Sequence, residues 1–493
     1  MNFFGSAKKY SVEIICYLFI LLFVYAAVSK LLDFQNFRLQ VAQSPLLTAY
    51  AGFFAVVTIV SELSISFALA VRLLRTSALY AAFALMCLFS GYIFFILNFS
   101  PYVPCSCGGI LEKMGWSEHL VFNLCFVALG ATGVVLNSGT LKRKTLQLFA
   151  LAAGSFSTIV VLFLVSENTL HHRNNFVRRI PPFAIKKVHE ADLGFNSFYL
   201  AGAESDKVYL GNYMAPSIVT LLDSTLQMRQ TYRIALDDTL AFKAAQIKIR
   251  PPFFYIFDGS IPCIYRGKIV DWSAKLRLKG VQQFTNIEPI DSGTVAFRAA
   301  TTRYGNLPGL FDLANTTRVI YKHGILEKQI DGIFDTDGTM EYDAWTKQMV
   351  FVYYYRNEYM VTDAKLNLLR RGNTIDTNTI AKIKVEYLTK KAVRKFAAPP
   401  LTVNRTTALR RNLLFVNSGV PGKFDPEVMW RKAAVVDVYD TSDGSYVMSF
   451  YVNNEQEKKM KGFIVTDTHL FALFETKIVA YSLHNFLTKE FKK

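Results

Sequence analysis

The sequence predicts an α-helical transmembrane bundle of five spans followed by an all-β domain with the rhythm of a six-bladed β-propeller. Three observations carry this. Hydrophobic residues make up 52% of the 493 and charged residues only 19%, below the roughly 25% charge of soluble domains. The apolar excess lies before residue 166, in five stretches near the ~20 residues that cross a bilayer as a helix. After residue 180, short strand-like runs recur every 40–60 residues or so.

The stretches are roughly 11–32, 46–71, 76–98, 119–137 and 146–165. Basic residues orient them. Lys8 and Lys9 precede the first span, Arg72 and Arg75 separate the second and third, and Lys142, Arg143 and Lys144 separate the fourth and fifth. These places share one side if all five spans cross. The expected topology therefore has a cytoplasmic N-terminus, an outer loop 99–118 and a periplasmic C-terminal domain. This is an integral protein of the inner membrane. The apolar run within 1–29 exceeds that of a signal peptide and has Glu13 at its start, so it reads as a retained span. The expected division is 1–140 for four spans, 141–180 for the fifth span and a basic linker, and 181–493 for the β domain.

Residues 1–165 hold ten Lys/Arg and five Asp/Glu of the chain's 55 and 38. The β domain is thus basic, as suits a domain beside an anionic membrane. There is no zinc-ligand spacing or RNA-binding signature, so nucleic acid is not an expected partner. Five of six cysteines also fall before residue 166.

Several residues in the membrane half call for an explanation. Glu62 interrupts the second span, where an acid is costly and faces the bundle interior or a watery cavity. It reads either as a proton relay or as a helix–helix hydrogen-bonding group with Ser61, Ser64 or Ser66 nearby. Lys30 and Asp33, at the outer end of the first span, read as snorkelling or a local ion pair. In the outer loop, Pro101 and Pro104 precede Cys105-Ser106-Cys107-Gly108-Gly109. An oxidised Cys-x-Cys pair closes a small strained ring, and strained exposed disulfides are labile. That favours thiol–disulfide exchange. A structural clip and a metal site with His119 are the alternatives, though no second Cys pair supports metal. Cys125 is either a resolving thiol for that loop or a small buried hydrophobe. Cys16 and Cys87 read as buried hydrophobes.

These blocks together resemble a known family. Ser29-Lys30-Leu31-Leu32-Asp33-Phe34, Gln43-Ser44-Pro45-Leu46-Leu47, Glu62, and Val103-Pro104-Cys105-Ser106-Cys107-Gly108-Gly109 through Trp116 and His119 stand in this order along four spans. In this, residues ~1–137 resemble the methylamine-utilisation protein MauE within the DoxX-like group of redox-associated membrane proteins. The resemblance implies a four-helix unit in which Cys105 and Cys107 are a periplasm-facing redox pair. It also implies a thioredoxin-like or other periplasmic thiol partner. The fifth span and the large β domain depart from the family's simple form.

In the outer half, 166–180 reads as a basic linker with His171 and His172 at the interface. The repeated runs begin at Lys207, Phe253, Thr294, Met349, Leu413 and His469. A second run follows most of them, as at Ser217, Cys263, Tyr359 and Lys477, which reads as hairpins. Six such units fit six propeller blades, with residues 181–200 expected to pair with the last. A pair of β-sandwiches is the competing fold. Asp237-Asp238 and Asp335-Thr336-Asp337-Gly338 read as turns, because Asp bonds its own backbone and the second pair lacks calcium-loop ligands at its ends. Cys263 is expected to be buried in a strand.

The expected function is a membrane thiol–disulfide redox protein: Cys105 and Cys107 exchange electrons with a periplasmic thiol partner, Glu62 serves as a proton relay, and the propeller is a docking platform. The alternative is a membrane-anchored scaffold whose propeller recognises an envelope protein, peptide or glycan and whose Cys pair is structural. No cofactor or metal is evident; a quinone would be compatible with the bundle, but no motif marks one.

Overall fold

The computed structural model describes residues 3–43, 51–99, 115–137, 140–170, 176–237, 240–301, 303–314, 318–388 and 393–492. The chain divides into two compact units, Met1–His172 with Ile383–Pro400, and Arg173–Lys382 with Leu401–Lys493.

The first unit holds six helices among the described residues: α1 (Phe3–Leu32), α2 (Phe34–Gln43), α3 (Ala51–Ala70), α4 (Arg75–Phe99), α5 (Trp116–Leu136) and α6 (Leu141–Leu170). All but α2 are long and apolar enough to span a membrane. Their core is the seam of Phe19, Phe23, Leu79, Ala82, Met86 and Val134. On α5, a Cβ at Gly133 would lie 3.2 Å from Ile15 and Leu79, so the small residue lets three helices close together.

Two boundaries depart from the sequence reading. The short α2 was not anticipated, because ten residues carry no spanning signal. It forms because Phe37 and Val41 can bury against Ala27, Ala55 and Ile59. The fifth span begins at Leu141, so Lys142, Arg143 and Lys144 lie in the first turn of α6 rather than in a loop. The reason is local: Lys144 Nζ donates to the Val135 and Asn137 carbonyls at the end of α5, a cation on a helix C-terminus.

The second unit is a six-bladed propeller. Segments 198–233, 246–279, 286–321, 338–373 and 404–453 each supply four antiparallel strands of a blade, and the second blade gains a short parallel fifth strand, Ala235–Leu236, on its outer edge. The sixth blade takes three strands from 462–483, and its outermost strand, Ile185–Asp192, comes from the start of the domain. As expected, the first and last strands therefore close the ring. Each of the six runs seen in the sequence is the second strand of a blade, and the runs that follow are third strands. The widest interval of sequence, between the fourth and fifth blades, contains an extra hairpin of Val385–Leu388 and Val393–Phe396, which belongs to the first unit.

Blades pack face to face with alternating side chains. Val208 and Leu210 of the first blade meet Phe471 and Ile478 of the sixth, while Tyr209 between them turns to Phe254 and Ile256 of the second. The ring continues through Phe257 against Phe297, Ala296 against Phe351, Val352 against Val416 and Phe415 against Ala472. A second strand therefore buries both faces, which is why it reads as an unbroken apolar run.

Candidate functional site

The helical unit encloses a cavity of about 320 Å³ lined by residues from all six helices. Aromatic walls include Phe23 of α1, Phe37 of α2, Phe89 of α4 and Phe122 of α5. Into these walls the fold sets Lys30, Glu62, His119 and Asn123.

Lys30, in the last turn of α1, places Nζ 2.5 Å from Glu62 Oε1 on α3. The Glu62 side chain is 1% exposed and Lys30 14%. Lys30 also lies 5.6 Å from the Phe37 ring centroid, so α2 walls the cation in. Glu62 Oε2 and His119 Nδ1 are buried with no hydrogen-bond partner among the described residues. Two such orphans in one cavity are costly, since a buried unpaired polar atom forfeits its hydration. Asn123, one turn beyond His119, is also buried.

The structure corrects the sequence reading of Lys30, which does not snorkel but turns inward to Glu62. Glu62 does make a helix–helix hydrogen bond, but its partner is Lys30 Nζ on α1; the neighbouring Ser66 Oγ donates to the Glu62 backbone carbonyl, at 2.8 Å. That His119 and Asn123 line the same cavity was not legible either. The available signal was one acid and one base of similar membrane depth on adjacent spans.

Cys105 and Cys107 lie outside the described residues, as do His171, His172 and Asp238. Cys125 is an exposed free thiol on α5 and does not line the cavity. Cys16 is buried and Cys87 half-buried. In the propeller, Cys263 is buried in a strand as expected. Asp335 accepts the N–H groups of Gln329 at 2.5 Å, Ile330 at 2.8 Å and Gly332 at 2.6 Å, a turn role. Asp337 caps the Gly338 N–H and pairs with Arg298, and Asp237 accepts the Leu276 N–H. No metal-ligating cluster occurs among the described residues.

Arg178 organises the entry to the propeller. Its guanidinium is fully buried and bidentate on Asp437, with Nε–Oδ1 at 2.7 Å and Nη2–Oδ2 at 3.0 Å, and it also pairs with Asp425. The Phe176 ring covers it at 4.8 Å.

Residues 8–136 match the family model of the methylamine utilisation protein MauE. No curated protein matches the chain. Among solved structures, a member of the DUF4221 family from Bacteroides vulgatus is 13% identical, with a TM-score of 0.39, covering 62% of this chain and 99% of its own. A protein of unknown function from Bacteroides thetaiotaomicron is 11% identical, with a TM-score of 0.38, covering 63% and 76%. YCF48 bound to D1 peptide is 10% identical, with a TM-score of 0.33, covering 64% and 98%.

Proposed function

We propose that this chain, whose residues 8–136 match the MauE family model, is a membrane thiol–disulfide redox protein in which Cys105 and Cys107 are the exchanging pair. The observation that carries the reading is the buried Lys30–Glu62 pair, with its orphaned Glu62 oxygen and His119 nitrogen, in a largely apolar cavity. Such a group is expensive in a membrane and serves function more readily than stability. Chain length ties the thiols to it. Cys107 stands nine residues before Trp116, the first residue of α5, and Cys105 six after Phe99, the last of α4. At ~3.5 Å per residue the tether from α4 to Cys105 is about 20 Å at most.

The exchange balances between two partners. A thiolate of the reduced pair attacks a client disulfide, forms a mixed disulfide and releases one client thiolate. The second cysteine then attacks the mixed bond, leaving Cys105–Cys107 oxidised and the client reduced by two electrons. The reverse sequence oxidises a client dithiol. The client is a periplasmic thiol protein, thioredoxin-like by the family resemblance, and the propeller is its docking platform. Positive residues at the first, second and fourth spans support a cytoplasmic N-terminus and a periplasmic propeller. Cys125 is the alternative resolving thiol, attacking the mixed bond in place of the second cysteine of the pair.

Resetting the pair calls for a second carrier, and the cavity fits a quinone head group. Lys30 Nζ would hold a carbonyl oxygen, and Glu62 and His119 would hold or pass protons beside it. The quinone, when bound, would supply two-electron redox capacity.

Thiol trapping on intact membranes tests the reading, comparing wild type with Cys105→Ser, Cys107→Ser and Cys125→Ser. A pair that switches under mild reductant, with a mixed disulfide accumulating in one Ser variant, is the expected result. A pair fixed in one state, with no trapped partner in any variant, overturns it and leaves the anchored scaffold.

A further inference from the structure

The first strands of the six blades surround a central cavity of about 220 Å³. It lies at the ends of those strands, where Arg250, Pro289, Asp343 and Arg410 stand. The linker docks at the other end. Phe176 packs on Val403, which precedes the fifth blade's inner strand Asn404–Arg410, and the cavity takes that strand's far residues, Thr407 to Arg410. The cavity therefore opens on the propeller face opposite the linker. Trp345, 63% exposed, stands at this mouth with the Arg411 guanidinium 5.0 Å from its ring.

Most charges lining the cavity are already committed. Arg410 is bidentate on Asp467 at 2.7 and 2.8 Å. Asp343 accepts the N–H groups of Trp345, Thr346 and Arg411. Arg250 bonds Glu288 at 2.6 Å and the Tyr342 carbonyl at 2.9 Å. Three groups keep bonding capacity. Lys248 gives one of its three protons to Glu288, Arg250 Nε is buried without a hydrogen-bond partner, and the Glu341 carboxyl makes no side-chain hydrogen bond among the described residues. Lys248 and Arg250 thus share the Glu288 carboxylate.

We propose that this cavity binds a small anion bearing a carboxylate or phosphate group, held by the free donors of Lys248 Nζ beside the Glu341 carboxyl. The inference stands apart from the redox reading, since it uses the propeller alone. Glu341 is able to donate because burial raises its carboxyl to about 8, with Lys248 and Arg250 opposing and Glu288 adding. It therefore holds its proton at neutral pH. The groups facing it are Lys248 and Arg250 of the second blade and Glu288 of the third; Tyr342 and Asp343 adjoin it on its own strand, and Arg410 of the fifth blade lines the same cavity. Above about pH 8 the donor becomes a second carboxylate and repels the ligand. The anion is either a free small acid or the terminal carboxylate of a partner peptide.

Isothermal titration of the full chain in neutral-lipid nanodiscs tests this. The probes are succinate, inorganic phosphate, a short peptide with a free C-terminus, its amidated twin, and spermidine. Expected is saturable binding of at least one anion, about tenfold or more weaker in Lys248→Met and retained in Lys248→Arg, which keeps the charge should the Met variant fold poorly. Wild-type affinity should fall by up to about tenfold per pH unit above 8, and Glu341→Gln should flatten that fall. Preference for the free over the amidated peptide identifies a peptide terminus; preference for succinate or phosphate identifies a free small anion. The proposal is overturned by absence of saturable anion binding, by equal affinity in properly folded Lys248→Met, or by a preference for spermidine.

Discussion

Lys30 and Glu62 meet at 2.5 Å between α1 and α3, with the Glu62 carboxylate enclosed. Removing one partner strands the other charge among aromatic walls. Glu62→Leu should lower stability by about 3–5 kcal/mol, and Lys30→Met combined with Glu62→Leu should recover most of that. Reversible unfolding of the four proteins in detergent, run as a double-mutant cycle, measures the coupling.

A proton-handling role for Glu62 separates from a structural one through Glu62→Gln, which keeps the volume and the acceptor oxygen. Its unfolding midpoint should stay closer to wild type than that of Glu62→Leu, while reoxidation of the Cys105–Cys107 pair slows severalfold. Equal reoxidation rates in Gln and wild type would leave Glu62 with a packing role alone.

Arg178 is the buried counterion of both Asp437 and Asp425. Arg178→Met should cost about 3–5 kcal/mol, because two carboxylates lose their partner. Arg178→Lys should rescue little, since an ammonium cannot reproduce the fork on Asp437. Urea unfolding followed by tryptophan fluorescence checks both, as Trp430 lies 5.5 Å from the guanidinium.

The raised carboxyl of Glu341 makes a signed prediction about stability. The folded state holds this proton up to about pH 8, whereas an ordinary glutamate loses it near 4.5. Its contribution is full below pH 4.5, declines as pH rises, and is lost above 8. Glu341→Gln should remove that decline, so the variant's advantage over wild type should grow from pH 5 to pH 9. Thermal unfolding across this range measures it.

The ring closes through Ile185–Asp192 on Lys477–Leu483, with His189 opposite Ala480 and Glu190 opposite Val479. Along an edge strand alternate N–H groups enter the ladder. Prolines at both His189 and Glu190 must therefore remove a bond. The double variant should open the sixth blade and expose the propeller to limited proteolysis. A single outward-facing proline should be tolerated.

The sequence by itself determined the five apolar spans, the change to β structure, the six blades and the closing strand. Each rests on a local signal. A spanning helix is apolar all round because lipid surrounds it, and a second blade strand is apolar throughout because two neighbouring blades cover it, as at Leu413–Ser418, buried along its whole length. Strands lining the channel or facing solvent alternate or turn polar, as in Arg229–Arg233, and left no comparable mark. Only the tertiary structure decided that Lys30 turns to Glu62 across 32 positions, that His119 shares their cavity, that Arg178 grips Asp437 across 259, and that Lys248, Glu288 and Glu341 face one channel from three blades. A charge pair carries no sequence periodicity. Its partner is chosen by which helices or blades come together, and packing of the whole chain sets that.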